Sequence, residues 1–582
     1  MKIRERRLLF YDFEVTPNLW MVTFASYPER KIITIINDKK QLQEFYERAK
    51  EFIWCGFNNR QYDDTILKSI LMGKNPHRVS VELVTNNKKP YQVLPKEHKN
   101  IQLYSFDISD RFHSLKQFEL FMGLSVKESE VSFDKEKLTD EEIEELKKYN
   151  IHDVLSTIEV FERLKDEFNA MIELIEMFNL PHEYINKTKA QMGAIILGAK
   201  KVERDDEWDL IFPDSLKLGK YEYVKDWFKS DEAKEEKAKL VTEIGGLETT
   251  VAWGGLHSAR KNIKEDGLLF NYDIASMYPA TMIEWDTLSR NVRTREEFRE
   301  IRDLRLKYKH EKKQGLQYSL KILINSIFGA SGDKYNDLYD ARNKKLTCMY
   351  GQLFMIDLID KIENNFDNIK FIQVNTDGLM VKLSSEEDLK KLEAVIHEWE
   401  VRSRYEMERD DIESIVQKDV NNYIVKMGNS KIKAKGAMVK FNNDLDNDLA
   451  IVNIALREYF MNDILPEETI NDCDELVKFQ KCYKVTSNYV GAYHNGKLLP
   501  HKVYRVFASK NENNTAFYKL KKGKENPDLF AGSPEHVFID NDDIRNKSVP
   551  SELDKQFYID LAYDRIRQFE GKPKIKGSDK NE

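Results

Sequence analysis

Asp12 and Glu14 stand two apart in the apolar run LLFYDFEV at positions 8–15. If that run is a strand, its period of two projects both carboxylates from one face. Two like charges side by side repel, so the pair needs either a solvated strand edge or a divalent cation to neutralise it. Asp63 opens the helical pattern YDDTILKSILMG, and Tyr149 and Asp153 lie four apart, on one face of a predicted helix. Four acids and a phenol are the donors that two-metal hydrolysis of a phosphodiester requires, with acids to hold the cations and a hydroxyl to orient the attacking water.

A second set lies downstream. In LFNYDIASMYP, 269–279, an apolar strand delivers Asp273 and the chain then turns through small residues to Tyr278-Pro279. The amides of such a turn can meet a triphosphate and the acid can hold its bridging metal, although an ordinary strand ending in a polar turn reads the same way. Lys321, Asn325 and Phe328 recur at helical spacing as one stripe, an odd composition for a core face, and Arg305 and Lys309 are also four apart. FIQVNTDGLMVKL, 371–383, alternates on both sides of Asp377, and Asp-Gly between alternating apolar residues is equally the commonest hairpin signal.

These residues need a framework, and 582 residues with 41% hydrophobic and 11% aromatic content can build several folded domains. Strands are expected at 8–15, 21–26 and 31–36. Thr139-Asp-Glu-Glu142 reads as a capping box that starts a helix running through Tyr149 and Asp153 toward Leu164. The pattern loosens over 200–240, where DEAKEEKAKL reads as a connecting helix and a boundary. An apolar strand at 268–274, helices at 296–313 and 318–328, and a hairpin at 371–383 follow, and the end GKPKIKGSDKNE reads as a frayed tail. No apolar run is long enough for a membrane span, and the N-terminus does not read as a secretory signal. Four cysteines without CxxC pairing point to free thiols in a reducing compartment. A net charge of −8 lowers the odds of a nucleic-acid partner, yet 301–313 carries a net +4 and 421–440 holds five lysines and no acid. Either run can be a solvated face or a grip on a phosphate backbone.

In order, DFE, Asn59-Arg-Gln-Tyr62-Asp63 and Tyr149-x-x-x-Asp153 resemble the three exonuclease motifs of the proofreading domain of family B DNA polymerases. The resemblance implies Asp12, Glu14, Asp63 and Asp153 as metal ligands, Tyr149 as the water-orienting phenol, and Asn59 and Tyr62 as holders of a frayed 3′ strand. Lys127 lies where related enzymes place a lysine near the scissile phosphate, or is a surface lysine; His152 is read as structural. DxxSxYP resembles motif A, making Asp273 a metal ligand and Tyr278 the ring beneath the incoming sugar. Lys321-x-x-x-Asn325-Ser-x-Phe-Gly is similar to the fingers motif, with Phe328 where tyrosine is usual. It assigns Lys321, Asn325, Arg305 and Lys309 to the nucleotide. NTDG is similar to motif C, with Asp377 retained and Asn375 in place of the first acid. Ala252-x-Gly254-Gly255 and Asn421-x-Tyr423 match two primer-contact motifs that lack their tyrosine and lysine, so Lys433 and Lys435 are the candidate cations there.

The fold implied is α/β and α+β multidomain, a ribonuclease H-like exonuclease followed by a right-hand polymerase. Expected boundaries are 1–195 exonuclease, 196–244 connecting segment, 245–295 first part of the palm, 296–345 fingers, 346–440 second part of the palm and 441–582 thumb and tail. The function implied is template-directed DNA synthesis with 3′→5′ proofreading, using two Mg²⁺ or Mn²⁺ per site on primer-template DNA and dNTPs. The expected setting is a monomer in the cytoplasm, of a compact, bacteriophage-like type, whose helicase and single-strand-binding partners the sequence does not identify. Asp273 and Lys321 are 48 residues apart and Asn325 and Asp377 are 52, leaving no room for the insertions of protein-primed relatives. The rival readings are a polymerase-shaped nuclease or repair factor with only the exonuclease active, and a DNA-binding scaffold.

Overall fold

A computed structural model describes residues 2–573; the end of the expected frayed tail, 574–582, lies outside the described residues. The chain is a mixed α/β, multidomain protein with several sheets. Strands β1 (Leu8–Val15), β2 (Trp20–Tyr27), β3 (Ile32–Ile36), β4 (Ile53–Gly56) and β5 (Tyr104–Asp107) form one sheet in the order β3-β2-β1-β4-β5. The first three are antiparallel, while β4 and β5 run parallel to β1. The central β1 is buried on both faces apart from Leu8 and Asp12, so the acids it carries are drawn into a low-dielectric setting. A helix runs from Asp140 to Met177 against this sheet, longer than the sequence pattern indicates because its apolar stripe continues past Leu164. Thr139 and Glu142 exchange hydrogen bonds at its start, a reciprocal cap worth about 1 kcal/mol.

The second sheet has nine strands: β6 (Lys239–Ile244), β7 (Leu247–Ala252), β8 (Gly255–Ala259), β9 (Ile263–Ile274), β10 (Lys370–Asn375), β11 (Gly378–Lys382), β12 (Met407–Asp419), β13 (Asn422–Met427) and β14 (Ile432–Lys435). Their order is β14-β13-β12-β9-β11-β10-β8-β7-β6, antiparallel throughout. Helices Ala341–Glu363 and Glu386–Ser403 cover one face in a core with Leu353, Phe354, Ile359 and Trp399. The stretch read as a connector belongs to this core: Trp227, Phe228 and Ala233 are buried in it, and DEAKEEKAKL is a short 3₁₀ turn followed by the edge strand β6 rather than a helix. Its polar composition suits a sheet edge as well as a helix face.

Helices Glu296–His310 and Gln314–Ala330 follow, and the second shares a core with the long N-terminal helix through Leu174, Ile175, Leu320 and Ile324. The remainder holds helices Ala450–Asn462 and Lys555–Phe569 and two small sheets. These consist of β15 (Lys481–Lys484), β18 (Val503–Ala508) and β21 (Val537–Ile539), and of β16 (Tyr489–His494), β17 (Lys497–Leu499), β19 (Tyr518–Lys521) and β20 (Asp528–Leu529). No helix among the described residues is long and apolar enough to cross a membrane.

Candidate active sites

On β1 and the long helix, carboxylate oxygens of Asp12, Glu14 and Asp153 lie within 4.8 Å of one another. Glu14 and Asp153 are buried, and burial followed by the neighbouring carboxylates raises the pKa of both Asp12 and Glu14. Burial also raises Asp153, against the pull of Lys116. Asp63 stands beside this group: its Oδ1 accepts from the Phe13 amide (2.9 Å), and burial and the Asp12 charge raise its pKa. Asn150 donates to Asp12 Oδ2 (2.7 Å) and fixes that carboxylate.

One cation of the chain enters the cluster. Lys116 pairs with Asp153, lies 3.2 Å from Glu119 Oε1 and stands 4.7 Å from the Tyr149 ring, with its ammonium form favoured by those acids. His152 Nε2 is 3.2 Å from Glu119 Oε1, and ligand atoms of His152, Glu119 and Asp153 lie within 4.8 Å of one another, a second group that shares Asp153 with the first. The expected lysine, Lys127, is instead exposed on the segment beyond the helix that bears Lys116. Sequence reading missed Lys116 and Asn150. The signals were there, a lysine inside the apolar run LKQFELF and an amide beside Tyr149.

Asn59 does not face a strand-binding surface. It is fully buried, with its amide donating to Ser105 Oγ (3.0 Å) and Tyr11 Oη (3.3 Å) beneath the acids. Tyr62 is half-buried and its hydroxyl meets Ser80 Oγ at 2.9 Å. The acids and one lysine leave several buried negative charges uncompensated, and hard oxygen donors so grouped fit divalent cations such as Mg²⁺ or Mn²⁺.

The second constellation lines a cleft of about 450 Å³ walled by Ser276, Tyr278, Arg305, Lys321, Asn325, Phe328 and Asp377. Asp273 ends β9 directly opposite Gly378 of β11, and the Ile274 amide donates to the Asp377 carbonyl (2.6 Å), which fixes the two acids side by side. Both are exposed, and partial burial followed by the Asp377 charge lifts Asp273 from 3.8 to about 6. A Cβ on Gly378 would fall 1.9 Å from Asp273 Oδ1, so the glycine of NTDG makes room for the Asp273 carboxylate. Gly255, the first residue of β8, is as tightly placed, since a Cβ there would meet Thr376 Oγ1 at 2.2 Å. Neighbouring Gly254 is exposed.

Ser276 takes a left-handed φ of 52° and accepts from Arg305 Nη1 (2.9 Å), which ties the turn after Asp273 to the Glu296–His310 helix. The Tyr278 and Phe328 rings stack at 3.7 Å. Lys309 departs from the expected role: its ammonium meets Glu408 (3.3 Å), which the β9–β12 register sets opposite Asp273. Tyr423 lies near enough to Asp273 and Asp377 for their charges to raise its hydroxyl pKa, after burial. Lys433 pairs with Asp410 (2.9 Å) and Lys435 lies 5.9 Å from the Tyr423 ring.

No family model and no curated protein matches the chain. Among solved structures it is similar to the family B DNA polymerase from the hyperthermophilic archaeon Pyrobaculum calidifontis, at 13% identity over 98% of this chain and 79% of that one, with a TM-score of 0.42. That likeness is loose, and the functional reading rests on the two sites.

Proposed function

We propose that the chain is a template-directed DNA polymerase of the family B type with its own 3′→5′ exonuclease. The observation that carries this is the cleft in which Asp377 meets Arg305, Lys321 and Asn325 beside the turn at Ser276, with Asp273 set next to Asp377 by the pairing of β9 and β11. Lys321 and Arg305 bind the triphosphate's charge, Asn325 and Tyr278 orient the nucleotide, and Tyr278 is braced from behind by Phe328. Asp273 and Asp377 hold Mg²⁺ or Mn²⁺, which when bound supplies charge neutralisation and lowers the pKa of a coordinated hydroxyl. Gly254, Tyr423, Lys433 and Lys435 line the primer side.

At the other site Asp12, Glu14, Asp63 and Asp153 hold the cations. Lys116 offsets charge on the scissile phosphate, Tyr149 orients water, and Tyr62 guides the strand end. The setting is replication of a compact genome such as a bacteriophage's, by a monomer in the host cytoplasm, extending an ordinary DNA or RNA primer. The test is a recessed 3′ end incubated with and without dNTPs. Extension with dNTPs and shortening without them is the expected outcome. Shortening alone favours the nuclease reading suggested by Asn375, and neither activity refutes both.

A further inference from the structure

Arg505 sits in β18 with none of its surface exposed, and among the described residues no carboxylate pairs with it. Its guanidinium is met by neutral oxygens. Nε donates to Gln480 Oε1 (2.9 Å) and Nη1 to the carbonyls of Asp540 (3.1 Å) and Asp542 (2.8 Å). Nη2 faces the carbonyls of Glu119 (3.3 Å), Leu120 (3.0 Å) and Leu124 (2.9 Å). Those last three belong to the end of the Leu115–Phe121 helix and the turn that leaves it, where the Glu119 and Leu120 carbonyls accept the Leu124 and Gly123 amides and keep a second lone pair for the guanidinium, and the helix dipole favours a cation. The turn passes through Gly123 at a φ of 71°, where a Cβ would come within 3.0 Å of the Val477 side chain. The C-terminal unit thus closes over the helix end, and a buried guanidinium with these partners tolerates little displacement, since each lost oxygen leaves a buried donor unpaired.

The first turn of the same helix bears Lys116, the ammonium paired with Asp153. Seven residues are too few to hold a helix unaided. We propose that Arg505 is a positioning residue for the hydrolytic site: by closing the end of the Leu115–Phe121 helix it sets Lys116 against Asp153, so the C-terminal unit is a structural part of a site whose acids all come from the first 153 residues. The proposal rests on the nuclease reading of that site. Displacing the C-terminal unit, by a substitution or by bound DNA, then slows hydrolysis without touching an acid.

The test uses the full chain with Arg505→Lys, which keeps the charge and loses the fork. Amide hydrogen exchange over 115–124 should quicken about tenfold relative to the rest of the chain. Hydrolysis of a mispaired 3′ end should fall about as far as in Lys116→Ala, while primer extension, the control for folding, stays within about twofold. The double variant should hydrolyse no more slowly than Lys116→Ala alone, because one route is removed twice. Unchanged exchange, wild-type hydrolysis, or losses that multiply in the double variant each overturn the proposal. If Arg505→Lys also loses extension, Glu128→Ala takes its place. Glu128 accepts from the Lys502 and Val503 amides at the exposed rim of the same contact. Slower hydrolysis with extension kept then supports the proposal, and unchanged hydrolysis overturns it. A wild-type chain that never hydrolyses refutes the nuclease reading itself, and exchange over 115–124 still decides whether Arg505 holds the helix.

Discussion

The two acid sites differ in how much of their own chemistry they bring. The N-terminal one buries Glu14, Asp63 and Asp153, at 9%, 4% and 7% exposure, and adds Lys116. The cleft offers Asp377 with Asp273 beside it, both exposed, and is walled by cations and an amide. On the proposed function, the phosphodiester carries few oxygens to a metal, so its site must supply the ligands, whereas the triphosphate carries many, so its site needs fewer acids and more positive charge. The number of carboxylates follows what the substrate leaves unprovided.

The sharpest break in the comparison is to empty one site at a time. Asp377→Ala should cut extension about 10³-fold or more and leave hydrolysis intact, while Asp12→Ala with Glu14→Ala should do the reverse. Parallel losses in folded protein, measured on one labelled primer, would falsify two independent sites. Gly378→Ala comes next: its Cβ must push the Asp273 carboxylate aside, and displacement of that order costs about 10²-fold in extension. Wild-type extension would mean that Asp273 has room to spare. Tyr278→Val should raise ribonucleotide incorporation about tenfold with hydrolysis unchanged. Equal dNTP preference in variant and parent would move the steric gate elsewhere.

The smallest effect is on stability. Burial and Asp153 raise the Asp12 carboxyl from 3.8 to about 8, so the metal-free folded state holds a proton that the unfolded chain has released. Stability of the metal-free protein therefore falls as pH rises through that window. Mg²⁺ should restore it most at the upper end, by a few degrees in Tm. Melting curves with EDTA and with Mg²⁺ that differ equally at low and high pH would contradict this.

What could be read in the sequence was what repeats locally. The span of β1, the Thr139 cap, the hairpin around Asp377 and the stripe of Lys321, Asn325 and Phe328 each depend on neighbours a few residues away, and each stands as expected. The lysine inside LKQFELF is legible as an oddity, but its partner is not, because the contact of Lys116 with Asp153 spans 37 residues. Asn59 reads as exposed in a polar loop until β5 supplies Ser105 as its partner. Residues 231–240 have the composition of a helix face, and only pairing of β6 with β7 makes a strand of its end. Arg505 has no signal at all, since its role arises from carbonyls more than 380 residues away.

The long helix gives the molecule a ruler. Asp153 lies on it at one site, and Glu173, twenty residues on or about 30 Å along the axis, bonds to Ser319 two residues before Lys321 of the other. A helix packed along its length resists compression, and its stretch from Val154 to Ile175 is seated in one core. The stations therefore stay a set distance apart. If the two sites act as proposed, it is the DNA that must travel, and a strand end reaches the acids only after enough of it has left its complement to cover the gap, so the helix sets how deeply a duplex must fray.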